Sequence, residues 1–225
     1  MDNKTYEYVE DRSMTIQQYI NNIFKWMIIG VLTTFVTAFA LEKSSFMSYA
    51  GMLPFILIIF QFAVVIGLSR RLMTMKPITA KVLYSVITGV TFSYVIASYT
   101  SFSVALAFLV AAIYFGVLVV LGTVIKMDLT RIGTICLAGL FVYIIFSVIV
   151  MIFHLGVGTL IMPLISLALF AGITAYDMQK SLQLYNYASS NPEMLEKLSI
   201  YGAFNLYLDF VNIFLDILQL LGDNK

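Results

Sequence analysis

An all-α fold of seven membrane-spanning helices is predicted by three observations. The 225 residues are 61% hydrophobic and 11% charged, with a mean hydropathy of +0.95, too little polar surface to cover a soluble globule of this length. Runs of about twenty apolar residues, the length that crosses roughly 30 Å of hydrocarbon, recur at 23–41, 51–69, 82–97, 103–125, 132–154, 158–176 and 200–221. The connections at 98–102, 126–131 and 155–158 barely turn the chain, which favours antiparallel neighbours in a single domain spanning 1–225.

Ahead of the first run, residues 1–22 carry Asp2, Glu7, Glu10 and Asp11 and no small-residue cleavage site, so the first span is expected to stay as an anchor. Ser13-Met14-Thr15-Ile16, followed by Gln17 and Gln18, reads as the start of a short interfacial helix leading into it. The second span has Pro54 near its start, Gln61 midway and Arg70-Arg71 at its end. Across the later spans, Gly89, Gly116, Gly122, Gly139 and Gly172 read as close helix packing. Cys136 is the only cysteine, which excludes an intrachain disulfide and leaves a small buried hydrophobe as its reading. His154, the only histidine, closes the fifth span beside Gly156 and Gly158 and reads as interfacial. Pro163 lies near the start of the sixth span, where proline is tolerated, and that span ends in Ile173-Thr174-Ala175-Tyr176-Asp177. The longest loop, 178–199, contains Asn191-Pro192, a helix-start signal, and is expected to hold a short surface helix.

Basic residues near span ends stay cytoplasmic. With the N-terminus inside, all of the thirteen Lys and Arg residues except Lys43 and Lys225 fall on that side. A cell-membrane, multi-pass protein with a cytoplasmic N-terminus and an external C-terminus is expected. The compact length favours a bacterial membrane.

The last span carries the strongest functional signal. Asn205, Asp209, Asn212, Asp216 and Gln219 recur at spacings of four, three, four and three, which is one face of a helix. A polar face at membrane depth must look into protein or a water-filled cavity, and acids there point to ion or proton pathways. Asp177 is expected at the cytoplasmic end of the sixth span, with Asp209 about nine residues, roughly 13 Å, inside the seventh. Two carboxylates in contact in a low-dielectric site cannot both ionise and tend to share one proton. Plainer roles stand beside this: Asp177 paired with Lys180 one turn on, Asp209 hydrogen-bonded internally, Asp216 wet at the outer rim. Arg70 or Arg71 is placed to hold Asp177 through two parallel hydrogen bonds, though paired arginines after a span are also an ordinary topology signal. Gln61 either faces the stripe or bridges helices.

Net charge of +1 and the lack of a basic cluster outside one short loop argue against nucleic acid. There is no Gly-rich phosphate loop, no HExxH and no Ser/His/Asp set.

The run Tyr201-Gly202-Ala203-Phe204-Asn205-Leu206-Tyr207-Leu208-Asp209-Phe210-Val211-Asn212-Ile213-Phe214 resembles the C-terminal signature of the transmembrane Bax inhibitor motif family in its compact microbial form, and Tyr176-Asp177 resembles that family's other aspartate. The resemblance implies a central seventh helix wrapped by the other six and a pH-sensitive Ca²⁺ leak. It makes Asp177 and Asp209 the sensor and gives either Arg70 or Arg71 the role of the bonded arginine. Asp216 departs from the family pattern, which has a neutral group there.

The function expected is therefore passive, pH-sensitive Ca²⁺ permeation by a non-enzymatic, monomeric channel. Lipid, Ca²⁺ and protons are its partners, it has no resident cofactor, and Asp209 and Asp177 meet the ion transiently. Hard oxygen ligands suit Ca²⁺. Asn205, Asn212, Asp216, Gln219 and Gln61 would line the path. A rival is an intramembrane aspartyl protease, which also needs two embedded aspartates. Such enzymes carry Gly-x-Gly-Asp, whereas Asp209 follows Tyr207-Leu208. A third reading is a non-conducting membrane regulator.

Overall fold

The computed structural model describes residues 14–42, 77–153, 160–188 and 191–223, and every described element is helical. The helices are α1 (Ile16–Glu42), α2 (Pro77–Ala97), α3 (Ser101–Val124), α4 (Thr130–Phe153), α5 (Ile161–Ala188) and α6 (Pro192–Leu221). Five of them, α1, α3, α4, α5 and α6, are long and apolar enough to cross a membrane, and α2 has a shorter apolar helix at Tyr84–Ala97. The chain is a multi-pass membrane protein. The expected second span, 51–69, with Pro54, Gln61, Arg70 and Arg71, lies outside the described residues, as does His154.

Local chemistry sets the helix starts. The Thr15 N–H donates to Gln18 Oε1 at 2.9 Å and the Gln18 N–H donates to Thr15 Oγ1 at 3.2 Å, a reciprocal capping box. The stretch expected as a separate interfacial helix is instead the first turn of α1, because the box satisfies N–H groups that would otherwise end the helix. Thr100 caps α3 by accepting from Ser103 N at 3.2 Å. Asn191 caps α6 by accepting from Met194 N at 3.0 Å, with Pro192 in the first turn.

Two sequence expectations change at the α5–α6 hairpin. The predicted loop 178–199 is almost all helix: α5 runs on to Ala188, and α6 is continuous from Pro192 rather than a surface helix followed by a span. Asp177 is consequently inside α5, eleven residues before its end, and Asp209 is seventeen residues, roughly 25 Å, into α6. Apolar runs alone cut both helices short, because their hairpin ends are polar and stand beyond the apolar stretch.

At the centre is α6, which packs against α1, α2, α3 and α5, while α4 packs chiefly on α5. Phe214 of α6 is fully buried among Phe35, Phe92 and Phe108, with ring centroids at 5.2, 5.7 and 6.4 Å, and Phe210 meets Phe115 edge-on at 5.6 Å. The far end of α6 is tied down by Thr100 N donating to the Asp223 carbonyl at 3.1 Å and by Asp223 N donating to Ser103 Oγ at 3.0 Å. Gln179 of α5 holds the α3–α4 connection, donating to the Ile125 and Met127 carbonyls and accepting from Leu129 N.

Small residues set the approach of α5. A Cβ at Gly122 would strike the Ala175 backbone, one at Gly133 the Tyr176 ring and one at Gly172 the half-buried Cys136 sulfur. Gly89 and Gly139 are close-packed too, against Thr37 and Leu169. Gly116 is the exception: among the described residues nothing lies within 4 Å of its would-be Cβ, and it lines an apolar groove of about 460 Å³ between α1 and α3.

Candidate functional site

The α5–α6 seam is antiparallel and regular. Ser166, Phe170, Thr174, Asp177 and Ser181 recur at four, four, three and four along α5, so they share the face turned to α6. Gly202 lies against Ser181, Asp209 against Thr174 and Asp216 against Ser166. Steps of seven on α6 thus meet steps of seven and eight on α5. This register brings Asp209 to the level of Thr174, with Asp177 one turn nearer the hairpin on the same face.

Asp209 is 3% exposed, and its Oδ2 has no hydrogen-bond partner among the described residues. The Thr174 hydroxyl beside it is buried and likewise lacks a bond of good geometry. Asp177 is half-buried, and its charge acts directly on Asp209. Lys180 interacts with Asp177 electrostatically without closing an ion pair. Its ammonium sits 5.4 Å from the Tyr176 ring centroid instead, so the plain Asp177–Lys180 salt bridge does not form.

The remaining members of the stripe separate. Asp216 is 9% exposed, not wet at a rim. It is hydrogen-bonded with Ser166 and lies within electrostatic reach of the Tyr114 and Tyr143 hydroxyls. Asn205 is half-buried. Asn212, also half-buried, turns back to donate to the Leu208 carbonyl of its own helix at 2.7 Å. Gln219 is exposed. A helix face about three residues wide is broader than one seam, so only the two aspartates, seven residues apart, point into it.

Sequence reasoning misses Thr174, Ser166, Tyr114 and Tyr143 as site members. The recurrence along α5 is a usable signal for the first two. Also missed is a hydroxyl hub on the opposite side of α6, where the Tyr207 hydroxyl lies 2.7 Å from Thr34 Oγ1 and Thr34 reaches the Gly30 and Ser85 carbonyls at 3.0 and 3.1 Å. One hydroxyl hydrogen serves one of those carbonyls at a time, which leaves the Tyr207 O–H to donate to Thr34.

Fold and seam together define a multi-pass helical membrane protein whose central helix buries carboxylates against its hairpin partner. The family model described as "Inhibitor of apoptosis-promoting Bax1" matches residues 16–225, and the chain belongs to that Bax inhibitor family. Among its relatives is the inner membrane protein YbhL of Escherichia coli K12, 32% identical over 218 residues, covering 93% of each chain. An uncharacterized protein of Deinococcus radiodurans is 34% identical over 216 residues, covering 91% of this chain and 90% of its own. One from Borreliella burgdorferi is 29% identical over 215 residues, covering 92% and 93%.

Proposed function

We propose that this protein is a pH-sensitive calcium-leak channel: a seven-span, non-enzymatic membrane protein that lets Ca²⁺ pass down its gradient under control of a proton shared by Asp177 and Asp209. The observation that carries the reading is Asp209, almost fully buried on the central helix, with one carboxylate oxygen unsatisfied and a second carboxylate beside it. Burying such a pair costs several kcal/mol and weakens the fold, so a functional return is the reason to keep it. In the closed state the pair shares a proton and one carboxylate holds Arg70 or Arg71. Acidification neutralises that carboxylate, frees the arginine and lets the span that carries it move. Carboxylate and amide oxygens along the seam offer Ca²⁺ the hard, irregular coordination it accepts. The likeness to E. coli YbhL supports an inner-membrane location, and the Lys and Arg distribution supports a cytoplasmic N-terminus.

The test is Ca²⁺ flux into dye-loaded liposomes, measured against pH for the wild type, Asp177→Asn and Asp209→Asn. A flux that rises on acidification in the wild type and loses that dependence in both variants is expected. Flux indifferent to pH and to both substitutions eliminates the reading.

A further inference from the structure

A third carboxylate on α6 has its own surroundings. Asp216 lies two turns, about 10 Å, beyond Asp209, at a point where α3, α4, α5 and α6 all contribute side chains. Ser166 of α5 is hydrogen-bonded with it, and Tyr143 of α4 with Ser166. Tyr114 of α3 donates its O–H to the Leu167 carbonyl at 3.2 Å, which leaves its oxygen lone pairs free to accept. The Asp216 Oδ2 has no partner among the described residues, although the residue is nine-tenths buried. The titratable groups facing it are Tyr114 from α3 and Tyr143 from α4. From α1, α2 and α5, no charged side chain among the described residues reaches it.

We infer that Asp216 is a second proton-binding carboxyl, bonded to Ser166, within electrostatic reach of Tyr114 and Tyr143, and separate from the Asp177–Asp209 pair. An ionised carboxylate in a hydrocarbon-depth site is tolerated only when a positive charge compensates it. Among the described residues no lysine or arginine does so here. Ca²⁺ takes six to eight oxygen ligands, and one carboxylate among neutral hydroxyls does not supply them. A proton needs only the carboxylate itself. It converts an acceptor-only group into a donor, and the Ser166 oxygen is there to receive the bond. Proton occupancy of Asp216 is independent of the leak, because it is observable without any ion flux.

The experiment is infrared difference spectroscopy on the full chain in phosphatidylcholine vesicles, stepped from mildly alkaline to mildly acid buffer. In the Asp177→Asn/Asp209→Asn double variant, which silences the pair, a protonated-carboxyl stretch that shifts in D₂O is expected to remain, and it is expected to vanish when Asp216→Asn is added. Ser166→Ala keeps the band and moves it to higher wavenumber, as loss of a hydrogen bond requires; this arm decides the question if Asp216→Asn fails to fold. A band set unchanged by Asp216→Asn, or unmoved by Ser166→Ala, overturns the inference. So does a band that disappears when Na⁺ is added at constant pH, which would make the occupant a metal cation. Failure of the liposome flux assay with these bands intact would remove the leak and leave this site standing.

Discussion

Helices α4 and α6 are both long and apolar enough to cross a membrane, but they are opposites in burial. Of the apolar stretch of α6, 56% is buried, against 6% for α4, and α6 is the least apolar of the five such helices. In a soluble protein the ranking would be reversed. Lipid is as apolar as leucine, so hydrophobic residues gain little by moving from lipid into the bundle, whereas polar groups gain much by leaving lipid. Polarity therefore marks the interior, and the apolar surface of α4, with Phe141, Val142 and Ile145 exposed, marks lipid contact.

The largest effect that tests this contrast is loss of packing on α6. Phe214→Ala removes a fully buried ring held by three others and is expected to cost about 3 kcal/mol. Phe141→Ala on α4, where the ring is 67% exposed, is expected to cost almost nothing. Unfolding midpoints in mixed detergent micelles compare the two directly, and equal losses would mean that α4 is covered rather than lipid-facing.

The second test reverses the chemistry. Phe141→Lys places a charge near the middle of α4 facing hydrocarbon, at a cost of about 3 kcal/mol on an insertion scale. Membrane insertion of α4, read by glycosylation mapping, is expected to fall severalfold. Normal insertion would show that this face has a polar partner.

A smaller effect belongs to the hydroxyl hub on α6. Tyr207→Phe removes the O–H given to Thr34 while preserving the ring. Hydrogen bonds between membrane helices contribute about 0.6 kcal/mol on average, and the best about 1.7. A loss of roughly 1 kcal/mol is expected, halfway between the two ends of the comparison, and Thr34→Val in the Tyr207→Phe background should then add little.

The same contrast explains how far the amino-acid sequence alone reveals the fold and the site. Apolar runs locate the cores of α1, α3, α4, α5 and α6, because lipid-facing residues must be hydrophobic along their whole length. They fail at the α5–α6 hairpin, where Gln179, Lys180, Gln183 and Glu196 belong to helix that outlasts the apolar stretch. Asp209 and Asp216 stand out since acids are costly at depth. Their partners do not: Ser166, Thr174, Tyr114 and Tyr143 are commonplace singly and gain meaning only from the antiparallel register, which depends on how Gly202 seats against Ser181. The stripe suggests five equivalent positions, while helix geometry gives a single seam room for two.

The smallest effect concerns how each helix begins. The Asp128 carboxylate accepts from Thr130 N at 2.9 Å and Thr130 Oγ1 at 2.6 Å, a charged cap at the exposed start of α4. The start of α6 is capped by the neutral Asn191. Those bonds hold the Asp128 carboxyl below its ordinary value of 3.8, with the Thr130 hydroxyl the main cause. A carboxyl depressed in the folded state stabilises fully above its unfolded value, and the contribution disappears as pH falls through the folded one. In a Glu193→Gln background, which removes the Glu193–Lys197 ion pair from the start of α6, acid should therefore fray the first turn of α4 and spare that of α6. Hydrogen exchange of the Arg131–Gly133 amides, divided by that of Met194 and Leu195 and corrected for intrinsic rates, should rise below about pH 4. It should lose that rise in Asp128→Asn. Equal fraying of both helices in that background would locate the acid sensitivity elsewhere, since without Glu193 the start of α6 keeps a neutral amide cap that has no proton to gain in that range.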